Sequence, residues 1–158
     1  MIEIGCYDDA VLDLSIPDDG QQYFCINGTK THFRVIEFAS KDGANRVKVS
    51  VKLIRLLEHM RVLTGLPIHI NSGYRTLEHN TKVGGSPKSQ HLTGKAADVV
   101  IGAGNNVGHA LKAAILAESL GATGIGLYNT FTHIDVRDNK SFWDNTGKGL
   151  LQNGSFHY

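Results

Sequence analysis

The sequence contains no apolar run of the roughly 20 residues that a membrane-spanning helix needs. Its opening segment, MIEIGCYDDAVLDL, has neither the basic start nor the apolar stretch of a secretory signal. We therefore expect no membrane insertion and no signal peptide. A target outside the cytoplasm, where the chain is made, would have to be reached by another route.

Cysteine and net charge are also scarce. The two cysteines, Cys6 and Cys25, form no CxxC pair and do not indicate a zinc knuckle. They could pair across an N-terminal hairpin or remain two partly buried free thiols. A formal net charge of +1 provides no electrostatic reason to expect a nucleic-acid partner.

The 158 residues, 41% of them hydrophobic, are enough for one compact domain with its own core. No internal repeat or low-complexity segment is visible. We expect a monomer that consists of a small N-terminal β extension at 1–28, a main domain at 29–145 and a C-terminal tail at 146–158. Within the extension, Pro17-Asp18-Asp19-Gly20 predicts a turn between strands.

Hydrophobic periodicity predicts two amphipathic helices, at 46–64 and 105–120. Thr76 is a candidate N-cap for a short helix. Alternating or continuous apolar residues predict strands at 2–4, 12–16, 23–26, 68–71, 96–101, 125–128 and 131–136. Because these elements do not alternate as βαβ units, we predict an α+β fold with a largely antiparallel sheet.

Two segments carry polar groups that an apolar strand would not otherwise bury. In SQHLTGKAAD, His91 lies in a glycine-containing loop and Asp98 lies inside an apolar strand, so both can reach one point. In THIDVR, strand alternation places His133, Asp135 and Arg137 on one face. Two histidines and a carboxylate would leave the fourth position of a tetrahedral zinc site open for water.

Each of these residues also has an ordinary structural interpretation. His91 could be a surface-loop histidine, Asp98 a strand-end cap and His133 a satisfied core histidine. The metal hypothesis depends on the three residues together.

Three motifs then resemble the zinc D-Ala-D-Ala carboxypeptidase family, which includes dipeptidases, carboxypeptidases and phage endolysins that cut peptidoglycan stem peptides. They are SGYRT at 72–76, SQHLTGKAAD at 89–98 and GIGLYNTFTHIDV at 124–136. The similarity extends from about Phe33 to about Trp143. It implies the α+β fold that these enzymes share with the signalling domain of hedgehog proteins.

The resemblance implies that His91, Asp98 and His133 bind one Zn²⁺ per chain and that peptidoglycan stem peptides are the substrate. Because the family includes phage endolysins, release at lysis is one route by which the chain could reach the cell wall. The resemblance also implies that Arg75 contacts the substrate or the transition state, which suits a guanidinium fork. The alternative for Arg75 is a surface salt bridge.

Further substrate contacts are expected from Gln90, Tyr128 and Arg137, the last by holding a terminal carboxylate. Tyr128 and Trp143 could equally be plain core aromatics.

One position departs from the family pattern. Many relatives have a Glu or Asp general base three residues before the third ligand, and here that residue is Thr130. Asp135 could replace it as the base, or it could orient a metal-bound histidine. A zinc-stabilised binding module that has lost catalysis is therefore the alternative to a peptidase.

Overall fold

A five-stranded sheet is the centre of the fold. The computed structural model describes residues 1–5, 9–16 and 19–158. The strand order in this sheet is β10-β8-β9-β7-β6. The strands are β6 (Ile68–Ser72), β7 (Ala96–Ile101), β8 (Gly124–Leu127), β9 (Thr132–Asp135) and β10 (Ser141–Asp144). Every neighbouring pair is antiparallel except β8 and β10, which are parallel. The predicted α+β class with a largely antiparallel sheet is confirmed.

Helix α1 (Val51–Thr64) is shorter than the sequence predicted. Its N-cap is Ser50, whose hydroxyl accepts a hydrogen bond from the amide of Leu53, so the prediction of helix from residue 46 is wrong. Residues Arg46–Ser50 form strand β5 instead. In this segment the buried β-branched valines alternate with exposed Arg46 and Lys48, and this two-residue period favours a strand over a helix.

The other two helices agree with the predictions. Helix α2 (Leu77–Lys82) is capped by Thr76, whose hydroxyl accepts a hydrogen bond from the amide of His79. Helix α3 (Val107–Ser119) is capped in the same way by Asn106. Among the described residues, no helix has both the length and the apolar character needed to cross a bilayer.

The N-terminal strands form two small sheets. Strands β1 (Ile2–Ile4), β3 (Tyr23–Ile26) and β4 (Thr29–Arg34) make one sheet, and β2 (Val11–Ser15) pairs antiparallel with β5. Strand β4 was not predicted. Cys6, Pro17 and Asp18 lie outside the described residues, so the cysteine pairing and the start of the predicted turn stay predictions. Cys25 is buried, and its Sγ lies 3.1 Å from Sδ of Met1.

The segment at 146–158, predicted as a tail, contains secondary structure. It forms a short antiparallel pair, β11 (Leu151–Gln152) and β12 (Ser155–Phe156). Asn153 and Gly154 both have positive φ in the connecting turn, which is the usual Asn-Gly hairpin chemistry. Phe156 is buried in the core. The domain boundaries at 28 and 145 stay predictions.

Helix α3 covers one face of the central sheet and leaves the other face for the polar groups. Its alanines are buried, and Thr132 of β9 donates a 2.7 Å hydrogen bond to the carbonyl of Ala110. Because side chains alternate along a strand, the neighbours of Thr132 and Ile134 point to the opposite face. Those neighbours are His133 and Asp135.

Candidate metal centre

A row of cross-strand partners brings two of the predicted ligands together. Asp98 of β7 pairs with His133 of β9, which pairs with Gly126 of β8, which pairs with Trp143 of β10. A Cβ atom at Gly126 would overlap the Trp143 indole. The glycine therefore lets the indole lie over β8, where its ring centroid is 5.0 Å from that of His133.

His91 reaches the same place from a short 3₁₀ turn at Gln90–Thr93. The amide of His91 donates to the hydroxyl of Ser89, and Gly94 ends the turn with a left-handed φ of 74°. A Cβ atom at Gly94 would overlap the backbone of Lys48, and the amide of Ser50 donates to the Gly94 carbonyl at 2.8 Å. The turn that carries His91 is thus packed tightly against β5.

The three side chains present three ligand atoms to one point. Oδ1 of Asp98 lies 3.3 Å from Nε2 of His91 and 2.9 Å from Nδ1 of His133, and one ligand atom from each of the three residues lies within 4.8 Å of the other two. Bonds of about 2.0–2.1 Å to a tetrahedral zinc ion would separate neighbouring ligand atoms by about 3.3 Å. The donor types and their spacing therefore fit a zinc ion. Among the described residues, no other three His, Cys, Asp or Glu side chains converge in this way.

In each histidine, the ring nitrogen that faces away from the three ligand atoms, called here the outer nitrogen, forms a hydrogen bond with another group. Nδ1 of His91 lies 2.6 Å from the carbonyl oxygen of Gly73, and Nε2 of His133 lies 2.7 Å from Oδ2 of Asp135. Both contacts favour the tautomer whose proton is on the outer nitrogen. The inner nitrogens, Nε2 of His91 and Nδ1 of His133, are then left with lone pairs for a metal.

Asp135 is enclosed between His133 and Arg137. Its side chain has no exposed surface, and Nε of Arg137 donates to Oδ1 at 2.8 Å. Burial raises the pKa of Asp135, but hydrogen bonds from Arg137 and His133 outweigh burial and lower this pKa to about 2. Asp135 and Arg137 thus form an ion pair on the outer side of the His133 ring. The Arg137 guanidinium also lies 5.4 Å from the ring of Trp143.

The pKa values of Asp98 and His133 also depart from their ordinary values. Burial raises the pKa of Asp98, but hydrogen bonds from His133 and His91 hold it well below its usual range. Burial lowers the pKa of His133, but the hydrogen bonds to Asp135 and Asp98 together raise it. The site therefore keeps both carboxylates ionised beside the imidazoles.

Arg75 is tied to the site by three contacts. Its Nε donates to the Ser72 hydroxyl at 3.0 Å, Nη1 to the Asn80 amide oxygen at 3.4 Å and Nη2 to Oδ2 of Asp98 at 3.3 Å. The side chain is 16% exposed. Arg75 does form a salt bridge, as the structural alternative predicted. Its partner, however, is the candidate metal ligand Asp98 rather than a surface group.

A cleft of about 510 Å³ opens above the three ligand side chains. The other residues predicted to meet substrate all line it, namely Arg75, Gln90, Tyr128 and Arg137, together with Trp143. Asp135 lies beneath and is not part of the lining. Thr130 is exposed in the turn between β8 and β9. Among the described residues that line the cleft, Asp98 is the only carboxylate.

Several cleft residues were not predicted from the sequence. Lys88 lines the cleft, and no carboxylate of the described residues forms an ion pair with it. Phe131 stacks on Tyr128 with ring centroids 4.4 Å apart. Asn80 is buried, and its Nδ2 donates to the carbonyl of Ser86 at 2.9 Å, which holds the loop before the SQHLTGKAAD motif. The glycines and the proline in the segment GGSPKS at 84–89 indicate a loop. Nothing in the sequence indicates that this loop lies beside the candidate ligands.

Comparison with known proteins agrees with this geometry. The sequence profile of the peptidase M15 family matches residues 29–135. A zinc D-Ala-D-Ala carboxypeptidase from Streptomyces albus G is 32% identical to the chain over 109 residues. The aligned region covers 66% of this chain and 41% of the relative, so the chain spans about two fifths of the relative's length.

Proposed function

The chain belongs to the peptidase M15 family, and from this premise we propose that it is a zinc peptidase that cuts peptide bonds in the stem peptides of bacterial peptidoglycan. The observation that carries the proposal is the convergence of His91, Asp98 and His133 at the floor of an open cleft. A buried structural zinc would be expected to have four protein ligands, whereas three ligands beneath a cleft leave a position for substrate or water. The name of the relative supports the choice of a D-Ala-D-Ala terminus as the first substrate to test.

His91, Asp98 and His133 would hold the zinc, one ion per chain. When bound, zinc would supply Lewis acidity that activates water and polarises the scissile carbonyl. The protein's own groups then have separate tasks. Gly73 and Asp135 fix the tautomers of the two histidines, and Arg75 orients Asp98 through its hydrogen bond to Oδ2.

Asp135 acts in this proposal as a positioning residue and not as the general base. Its carboxylate is buried, lies on the outer nitrogen of His133 and is also paired with Arg137. A general base needs hydrogen-bond reach to the proton that it removes, and this carboxylate faces away from the cleft. Arg137 is engaged by the same carboxylate, so Lys88 is the better candidate for attracting a substrate carboxylate.

The test uses the full chain loaded with one equivalent of zinc. Purified peptidoglycan and a synthetic pentapeptide that ends in D-Ala-D-Ala would be incubated with it and the products identified by mass spectrometry. We expect zinc-dependent cleavage that a chelator stops and zinc restores, while His133→Ala is inactive. Release of free D-alanine would identify a carboxypeptidase, and internal cuts would identify an endopeptidase.

A catalytically silent zinc module is the second candidate. It is favoured by one observation, the lack of any carboxylate other than Asp98 among the described cleft-lining residues. The same experiment separates the two candidates, because a folded, zinc-loaded protein that binds peptidoglycan and leaves both substrates intact would be the silent module.

A further inference from the structure

Tyr128 holds its ring in a fixed place at the wall of the cleft. It directly follows β8, and its amide donates to the carbonyl of Phe131 at 3.1 Å across the turn. The two rings are stacked, with centroids 4.4 Å apart and planes 8° from parallel. Contacts on the backbone and on one ring face therefore orient the phenol before any substrate arrives.

The hydroxyl group of Tyr128 is oriented as well. Nε1 of Trp143 lies 3.0 Å from Oη of Tyr128, and an indole N–H can only donate. The phenol oxygen must therefore accept this hydrogen bond, so its own hydrogen points elsewhere. No other described residue forms a hydrogen bond with this hydroxyl. The result is a pre-oriented O–H donor in the lining of the cleft.

This donor lines the same cleft as the candidate metal ligands. The Trp143 indole that holds it also packs against His133, with ring centroids 5.0 Å apart. One indole ring thus separates the Tyr128 hydroxyl from a candidate ligand. The two guanidinium groups in the lining, of Arg75 and Arg137, are already engaged by carboxylates. Tyr128 has no such competing acceptor among the described residues.

We propose that Tyr128 is a catalytic residue that donates a hydrogen bond to the carbonyl oxygen of the scissile peptide as that oxygen gains negative charge. This inference rests on the proposed peptidase function. The tyrosine keeps its proton throughout, and no covalent bond to it forms or breaks. Trp143 and Phe131 are positioning residues that set the direction of the hydroxyl. A donor fixed before reaction stabilises the developing charge without reorganisation, and this is the condition for a large catalytic effect.

The test is Tyr128→Phe, which keeps the ring stacked on Phe131 and removes only the hydroxyl. We expect kcat to fall about 100- to 1,000-fold, the range for loss of one oxyanion donor, with KM changed less than about threefold. Zinc content, measured by atomic spectroscopy, should match the parent protein. Trp143 is the only tryptophan in the chain, so its fluorescence should shift when the hydrogen bond is lost. Tyr23→Phe removes a hydroxyl away from the cleft and is the matched control.

Trp143→Phe tests the orienting role, because it keeps an aromatic ring beside His133 and removes the N–H. We expect a smaller loss of kcat, about tenfold, and a double variant no slower than Tyr128→Phe, since both changes act on one hydroxyl. The proposal would be overturned if Tyr128→Phe had the kcat of the parent, or if its kcat fell only in proportion to a fall in its zinc content. Additive losses in the double variant would overturn the role of Trp143. An inactive parent protein would instead overturn the peptidase function on which the inference rests.

Discussion

Asp135 and His133 are joined side chain to side chain along one strand, with 2.7 Å between Oδ2 and Nε2. The opposite nitrogen of the same ring, Nδ1, faces Asp98. The contact therefore decides which nitrogen of His133 carries the proton. It also means that a change at Asp135 should reach the metal through the imidazole.

Asp135→Asn should weaken zinc binding about 10- to 100-fold while turnover at saturating zinc stays within a few-fold of the parent. An asparagine that accepts from Arg137 turns its amide N–H₂ toward Nε2 of His133. The ring proton is then favoured on Nδ1, where zinc must displace it. Competition with a zinc indicator dye measures the affinity, and Asp138→Asn, at an exposed carboxylate, is the control. Abolished turnover with unchanged affinity would make Asp135 the general base.

Zinc removal should lower the melting temperature. At a free zinc concentration about 1,000-fold above Kd, binding contributes about 4 kcal/mol to the free energy of unfolding. For a chain of this size that corresponds to a shift of about 8–16 °C. Scanning calorimetry with zinc and with chelator measures the shift. His91→Ala should abolish the zinc-dependent shift, and the control His59→Ala, at an exposed position of α1, should keep it. A parent protein whose melting temperature does not respond to chelator would contradict the metal assignment.

Arg75→Lys should lower kcat/KM about 10- to 1,000-fold with zinc still bound. One ammonium cannot replace the three nitrogens that contact Ser72, Asn80 and Asp98. Steady-state kinetics and metal analysis on the same preparation measure both quantities. Arg55→Lys, on α1 and away from the cleft, is the matched control. Unchanged kinetics in Arg75→Lys would limit Arg75 to a scaffold role.

Gly126→Ala should destabilise the protein by about 1–3 kcal/mol and weaken zinc binding, because the new methyl group overlaps the Trp143 indole that packs on His133. Chemical denaturation and zinc titration measure the two effects. Gly108→Ala, in the first turn of α3, places a Cβ atom 3.3 Å from Oδ1 of Asn106 and should change the free energy of unfolding by less than about 1 kcal/mol, with zinc binding unchanged. Equal behaviour of the two alanine variants would contradict the packing argument.

The sequence predicted the elements whose residues carry their own local signals. The cap residue Thr76 and the apolar strand around Asp98 carry local sequence signals, so α2 and β7 were predicted, and α3 was predicted from its own apolar periodicity. Residues Arg46–Ser50 were assigned to a helix because Val49 also fits the start of the periodicity of α1. Their strand structure depends on pairing with β2, which is distant in the chain. Such non-local pairing overrides local periodicity.

The candidate ligands were predictable because His91, Asp98 and His133 are polar groups in otherwise apolar or glycine-marked segments. The surrounding contacts were not. Asn80 beside Arg75, and the indole of Trp143 over Gly126, arise from segments that only the folded chain brings together. The two possible roles of Asp135 could not be separated either, because the choice depends on which side of the imidazole its carboxylate occupies.

The residues that line the cleft come partly from strands of the central sheet and partly from loops, so the loops can be engineered separately from the metal ligands. The ligands of β7 and β9 are held by the central sheet, whereas much of the rim comes from two short loops, at 84–88 and 128–131. Asn80 anchors the first loop through the backbone carbonyl of Ser86, which any residue at 86 supplies, while Gly85 must remain because a Cβ atom would overlap Asn80. A randomised library at 86, 88 and 129 would therefore vary the rim of the cleft on an unaltered metal-binding frame, with Phe131 kept because it stacks on Tyr128.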